Sequence, residues 1–322
     1  MSWNEILGQD FAVQLLQAHL AAKTVPGAVL LAGPEGVGKR RLALELAKAL
    51  NCAASASPPC DRCASCTQMA RGTHPDLHVV VSSGVSDQIK IDDIRHLISR
   101  VALRPFSARV QVAIIDEAER LTEEAANSLL KVLEEPPATT RFVLLTSCVS
   151  DCLPTIVSRC QLLRCQPLPP ELIRTILVET QRCEAATAES IASLAKGSAA
   201  EAIRLANRWP SHQQVLERLG SENTSAWFEQ SLPETREDVL ALLDDMVAWL
   251  RDLAVVATDP SAPIVHRSHE EPLRRQALRV DLDQCFETVF ELVALRDSME
   301  QFVSPRLVAA LAREKWLSLT AV

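Results

Sequence analysis

No run of eighteen apolar residues occurs in this chain, so neither a membrane-spanning helix nor a membrane partner is expected. Its first residues, Met1-Ser2-Trp3-Asn4-Glu5, lack the basic and apolar stretches of a secretory leader. A cytoplasmic protein is expected. Positive charge is in deficit: 33 Lys and Arg stand against 41 Asp and Glu, a net charge of −8. Gripping a phosphate backbone takes clustered Lys and Arg, so a free-standing basic DNA-binding module is disfavoured. Any nucleic-acid role is then local or shared with partners. There is no internal repeat and no low-complexity tract. The five tryptophans, Trp3, Trp209, Trp227, Trp249 and Trp316, form no row on which bases could stack. They are read as packing residues. Glycine is scarce, with nine in 322 residues, and three of those nine fall within six positions, Gly33 to Gly38.

Among what is present, hydrophobic residues make up 48% and charged residues 23%, enough for sizeable cores and against wholesale disorder. The length suggests two or three domains, at roughly 100–200 residues each. In the first half, short apolar runs alternate with helical periods. Ala28–Ala32, Leu77–Val81, Val110–Ile115 and Arg141–Thr146 read as strands, and Arg40–Leu50, Asp92–Val101 and Glu123–Glu135 as helices. Asp92 is placed as an N-cap, and Pro136-Pro137 forbids continuation of the third helix. This alternation implies a parallel, doubly wound sheet. After about residue 166 the strand pattern stops. Helices are expected near 170–182, 187–196 and 199–208, with a joint at Trp209-Pro210-Ser211 and a loop over Thr258–Pro272. Val239, Leu243, Met246, Leu250 and Leu253 form one apolar stripe, and Leu282, Phe286, Val289 and Val293 a second. The expected domains are an α/β core over 1–166, a small helical domain over 167–210 and a larger helical domain over 211–322.

Gly33-Pro34-Glu35-Gly36-Val37-Gly38-Lys39 fits the phosphate-loop pattern G-x-x-x-x-G-K between a strand and a helix. Glycines let backbone N–H groups wrap a phosphate, and the following helix N-terminus adds positive potential. The next position calls for a Ser or Thr hydroxyl on Mg²⁺. It is Arg40, followed by Arg41. Such a loop either binds nucleotide without hydrolysing it or keeps its shape alone, and the residues leave both open. Downstream, Asp116-Glu117 ends a strand, where an Asp supports Mg²⁺ and a Glu polarises the attacking water in nucleotide hydrolases. The ten cysteines point to reduced thiols or a metal rather than disulfides. Four of them, Cys52, Cys60, Cys63 and Cys66, have the spacing C-x7-C-x2-C-x2-C in an insert over 52–66 with little apolar content. Zinc bound by four thiolates supplies the ordering that such an insert lacks. His74 and His78 are read as ordinary loop histidines, and the other six cysteines as packing residues.

Together these motifs resemble the clamp-loader branch of the AAA+ ATPases, over nearly the whole chain. The resemblance rests on Ile6-Leu7-Gly8-Gln9, the phosphate loop, the cysteine insert, Gly72-Thr73-His74-Pro75-Asp76 and Asp116-Glu117-Ala118. Three further strings carry it: Ala125-Ala126-Asn127-Ser128-Leu129-Leu130-Lys131-Val132-Leu133-Glu134-Glu135-Pro136-Pro137, Ser158-Arg159-Cys160 and Ser304-Pro305-Arg306-Leu307. It implies a RecA-like core, a helical lid and a helical collar that holds a hetero-pentameric ring with tau/gamma and delta subunits of DNA polymerase III. That ring uses ATP to open a sliding clamp and load it on primed DNA. The resemblance also implies that Arg159 reaches in trans into a neighbour's ATP site. Within the branch, Arg40, and Ala200 at the lid position that normally carries an arginine, point to a stator with little or no ATPase of its own rather than to the tau/gamma-type motor. Intact Lys39, Asp116 and Glu117 keep the motor as the alternative. A zinc-stabilised nucleic-acid adaptor is the alternative from another class. No polymerase active site can be identified.

Overall fold

The computed structural model describes residues 3–54, 58–82, 88–221, 227, 231–299 and 303–320. Two compact units divide the chain, Met1–Ile203 and Arg204–Val322.

The first unit is built on a five-stranded, all-parallel sheet. In chain order its elements are α1 (Asp10–Ala22), β1 (Ala28–Ala32), α2 (Lys39–Asn51), α3 (Ala64–Ala70), β2 (Leu77–Val80), α4 (Ile91–Val101), β3 (Gln111–Ile115), α5 (Glu123–Glu134), β4 (Thr140–Thr146), α6 (Pro154–Val157) and β5 (Gln161–Arg164). The helices α7 (Pro170–Gln181), α8 (Ala185–Leu194) and α9 (Ala199–Asn207) follow. The strand order is β2-β3-β4-β1-β5. Every residue of β1 and β3 is buried, as expected for strands covered on both faces. Alternate side chains serve different cores. Val29 and Leu31 pack with Leu16, Leu42 and Leu46 on one side. Ala28 and Leu30 pack with Ile94, Leu97, Leu129 and Ile156 on the other. Because all the strands are parallel, the turns after β1 and β3 leave the same end of the sheet on either side of β4, where the phosphate loop and the acidic pair meet.

The second unit contains α10 (Trp209–Leu219), α11 (Arg236–Thr258), α12 (Glu270–Ala277), α13 (Leu282–Ser298) and α14 (Pro305–Thr320). Val239, Leu243, Met246, Leu250 and Leu253 of α11 all lie in its core, with Trp249 and Trp316. No helix among the described residues is long and apolar enough to cross a membrane.

Four local expectations are corrected. Asp92 is not the N-cap of α4: Lys90 holds that place, and its amide donates to Asp93 Oδ2 at 3.1 Å. Trp209-Pro210-Ser211 is the first turn of α10, where proline is tolerated because its missing N–H has no intrahelical partner. Pro272 likewise falls inside α12, so the loop after α11 is shorter than expected. The stripe on α13 faces largely outward, with Phe286 51% exposed, while Cys285, Thr288 and Leu292 are buried. Both sets fit a helical period, and only packing decides between them.

Candidate functional site

The phosphate loop joins the buried strand β1 to α2, and Gly38, at φ 105°, is the N-cap of that helix. Gly36 is required twice over. Its φ is +76°, and a Cβ there would lie 2.2 Å from Ser198 Oγ and 2.7 Å from the Ala200 Cβ. The amides of Ala199 and Ala200 donate to the Gly36 carbonyl at 3.1 and 3.4 Å. The start of α9 thus closes directly on the loop. Gly33 is pressed on the β5 side, where an added Cβ would meet the Cys165 carbonyl at 2.3 Å.

Lys39 Nζ donates to the Gly33 and Pro34 carbonyls at 2.6 and 2.8 Å, folding back on its own loop. Burial holds its pKa below the usual lysine value. Arg40 Nη1 stands 3.6 Å from Asp116 Oδ2. A largely exposed protein cation therefore stands beside the carboxylate that the motif assigns to Mg²⁺. Burial pushes the Asp116 carboxyl up, and Arg40 opposes that rise. Glu117, at φ 55°, accepts from the Ser82 hydroxyl and pairs with Arg120 Nε at 3.4 Å, so both its oxygens are engaged. These groups line a cavity of about 760 Å³ together with Thr146, Ser147 and Ala200. The residues of the phosphate-loop and acidic motifs are thus brought together around one cavity, with Arg40 beside Asp116 where the motif calls for a hydroxyl.

Cys52, Cys60, Cys63 and Cys66 converge, with all four sulfur atoms within 4.8 Å of one another. Residues 55–57 of the insert lie outside the described residues. Cys52 ends α2, and Cys63 caps α3, its sulfur accepting from the Cys66 amide at 3.4 Å. The Cys60 amide donates to Cys52 Sγ at 3.3 Å. Amides of Arg62 and Cys63 lower the Cys60 thiol to about 6, and burial raises Cys66 to about 12. The donor set can hold one metal ion, and four sulfurs with N–H···S support suit a soft tetrahedral ion. His74 and His78 are not among these donors. Both are buried, His78 on β2, rather than on an exposed loop.

Arg159 follows α6. Its Nε donates to Glu134 Oε1 at 2.6 Å, its Nη2 donates to the same oxygen, and its Nη1 donates to the Thr155 carbonyl at 3.0 Å.

Two groups escaped the reading of motifs. Lys48, with a side chain 1% exposed, is paired with Glu45 at 2.5 Å and Asp61 at 2.6 Å beneath the cysteine cluster. Asp76 accepts the amides of Phe106, Ser107 and Ala108 at 2.7, 2.8 and 2.8 Å. Its burial pushes the carboxyl up, yet the three amides prevail and hold it below its usual range. Asp76 closes a string already noticed, but nothing in the sequence shows what it holds.

Comparison with known proteins follows the same lines. The chain matches the family described as DNA polymerase III, delta subunit, over residues 8–169, half of its length. It is 38% identical over 180 residues to the DNA polymerase III subunit delta' of Bacillus subtilis, covering 56% of this chain and 54% of that protein. It is 29% identical over 288 residues to the subunit tau of the same organism, covering 80% and 51%. The gamma/tau subunit of Mycobacterium tuberculosis is 29% identical over 310 residues, covering 94% and 51%. The chain thus spans about half the length of these curated relatives. The matched stretch contains the phosphate loop, the cysteine insert, the acidic pair and Arg159, and by that match the chain belongs to the DNA polymerase III delta subunit family.

Proposed function

We propose that this chain is a delta-prime-type stator of the DNA polymerase III clamp loader. It occupies one place in a hetero-pentameric ring with tau/gamma and delta subunits, which loads the sliding clamp on primed DNA in the cytoplasm. In this reading residues 1–166 are the AAA+ core, 167–210 the lid and 211–322 the collar. The observation that carries it is the Arg40–Asp116 pair, a protein cation standing against the carboxylate where a motor subunit would bind Mg²⁺. With Glu117 also engaged, the chain has little or no ATPase of its own, and it contributes no polymerase site. Cys52, Cys60, Cys63 and Cys66 hold one structural zinc, which orders the insert and takes no part in chemistry.

The stator's chemical contribution is Arg159, presented to the ATP of an adjacent subunit. An arginine fork neutralises charge on the transferring phosphoryl oxygens, an effect on the order of 10³ or more in rate at that site. Rings built with Arg159→Ala protein should assemble normally by gel filtration, since the collar carries most assembly contacts. Their DNA- and clamp-stimulated ATPase should fall in part, the other interfaces having their own arginines. Arg159→Lys should fail nearly as badly. Unchanged ATPase and clamp loading at equal assembly would remove the finger from this reading.

The motor reading has its own support in intact Lys39, Asp116 and Glu117 and in the long match to a tau subunit. Robust ATP turnover by the isolated chain, abolished by Glu117→Gln, would favour it.

A further inference from the structure

Glu134 is the last residue of α5, directly before Glu135 and the Pro136-Pro137 stop. A helix C-terminus carries partial negative charge, so a carboxylate there is electrostatically disfavoured unless something answers it. Here the answer is Arg159, which puts Nε and Nη2 on Glu134 Oε1. With Nη1 on the Thr155 carbonyl, all three guanidinium nitrogens are occupied inside this subunit. A phosphoryl group approaching in trans along the Nε/Nη2 edge, one of the two edges of the fork that present paired N–H donors, would meet the Glu134 carboxylate already bound there. The side chains of Arg159 and Glu134 are 31% and 48% exposed, so an outside anion can reach the pair.

We infer that Glu134 is the resting counter-ion of Arg159, holding the guanidinium fork against α5 until a neighbouring subunit's nucleotide phosphate displaces the carboxylate. This rests on the reading of Arg159 as a finger acting in trans. Glu134 is then a positioning residue. It keeps the arginine in one orientation and also competes with the phosphate for it. An ion pair this exposed shifts an equilibrium by about 1.5- to 5-fold, small enough for a phosphate dianion to overcome. Glu134→Gln keeps size and shape but removes the competing charge, so the finger should engage more readily. Glu134→Asp keeps the charge.

The test uses complete rings assembled from the full-length chain with tau/gamma-type and delta subunits, given ATP, clamp and primed DNA. In the free subunit, NMR exchange of the Arg159 Nε–H, assigned by its loss in Arg159→Lys, should quicken in Glu134→Gln. In rings, Glu134→Gln should raise kcat/KM for ATP by about 1.5- to 5-fold, and the gain should shrink as salt screens the pair. Glu134→Asp should stay near wild type. In an Arg159→Ala background, Glu134→Gln should have no further effect, because a double-mutant cycle isolates what acts through the arginine. If Arg159→Ala slows the ring while Glu134→Gln leaves it unchanged or slower, the counter-ion role is overturned and the finger stands. If the Glu134→Gln gain persists without Arg159, the carboxylate acts elsewhere and the inference fails. If Arg159→Ala matches wild type, the finger and its counter-ion fall together.

Discussion

The phosphate loop and the cysteine insert lie at the two ends of α2, yet they hold their shapes in opposite ways. The loop is fixed by protein: β1 is buried on one side of it, Cys165 presses on Gly33, and Ala199 and Ala200 bond to Gly36. Arg40, standing where the phosphate-loop pattern calls for a hydroxyl, leaves that frame undisturbed. The insert has the reverse character. Its four sulfurs form a complete donor set, with Cys52, Cys66 and Met69 deeply buried but Cys60 and Cys63 only partly so. A loop framed by the core tolerates loss of its ligand, whereas a loop framed by its ligand does not.

The largest effect expected from this contrast is on the insert. Structural zinc sites in small peptides are worth about 10–16 kcal/mol of apparent binding free energy. Purified protein should carry about one equivalent of zinc by elemental analysis. Cys63→Ser or chelation should release it and open residues 52–66 to proteases, with the sheet still folded by circular dichroism. Metal-free protein with an equally protected insert would erase the contrast.

The segment around Phe106 is an intermediate case, framed by one carboxylate of the chain itself. Asp76 is held below its ordinary pKa, so its stabilisation is full above the unfolded carboxylate range and is lost as pH falls through the folded value. Asp76→Asn should cost about 2–3 kcal/mol at neutral pH, since hydrogen bonds to a buried charged group are replaced by weaker ones. The deficit should narrow when urea midpoints are compared near pH 3. A deficit independent of pH would mean that shape, and not charge, holds the segment.

Smaller effects belong to the phosphate loop. Arg40→Ser should change stability by no more than about 0.5 kcal/mol, because the Arg40 side chain is 58% exposed. That cost should appear only where Asp116 is ionised and vanish in acid. The variant should remain without ATP turnover, since Glu117 and the closed α9 start are untouched. Least of all, Lys39→Ala should leave ring ATPase and clamp loading within about twofold of wild type, a change on the order of 0.4 kcal/mol. A severe loading defect would return the loop to active duty.

Four of the five strands were legible because strands buried on both faces must be apolar without interruption, as in Val29-Leu30-Leu31, Val112 to Ile115 and Phe142 to Leu145, whereas β5, a short edge strand with one buried residue in four, was not read as a strand. The cysteine donors were legible because tight spacing is itself a geometric constraint. Arg40 was readable as a missing hydroxyl, but not as a charge placed against Asp116, because nothing local reports where a long side chain ends. The Glu134–Arg159 pair was hidden for the same reason, its members standing 25 residues apart on different elements. On α13, two apolar sets competed within one helix, and neighbours absent from the local pattern decided which set was covered.

The contact of α9 with Gly36 has an evolutionary consequence. A serine at position 40 would bring back a metal ligand, but the amides of Ala199 and Ala200 would still sit on the loop, and Ala200 would still offer no cation. On the stator reading proposed above, ATP turnover in this chain would take coordinated changes in two segments far apart in sequence. A single substitution at position 40 does not supply both, so on that reading the loop is free to drift only within the shape its neighbours impose.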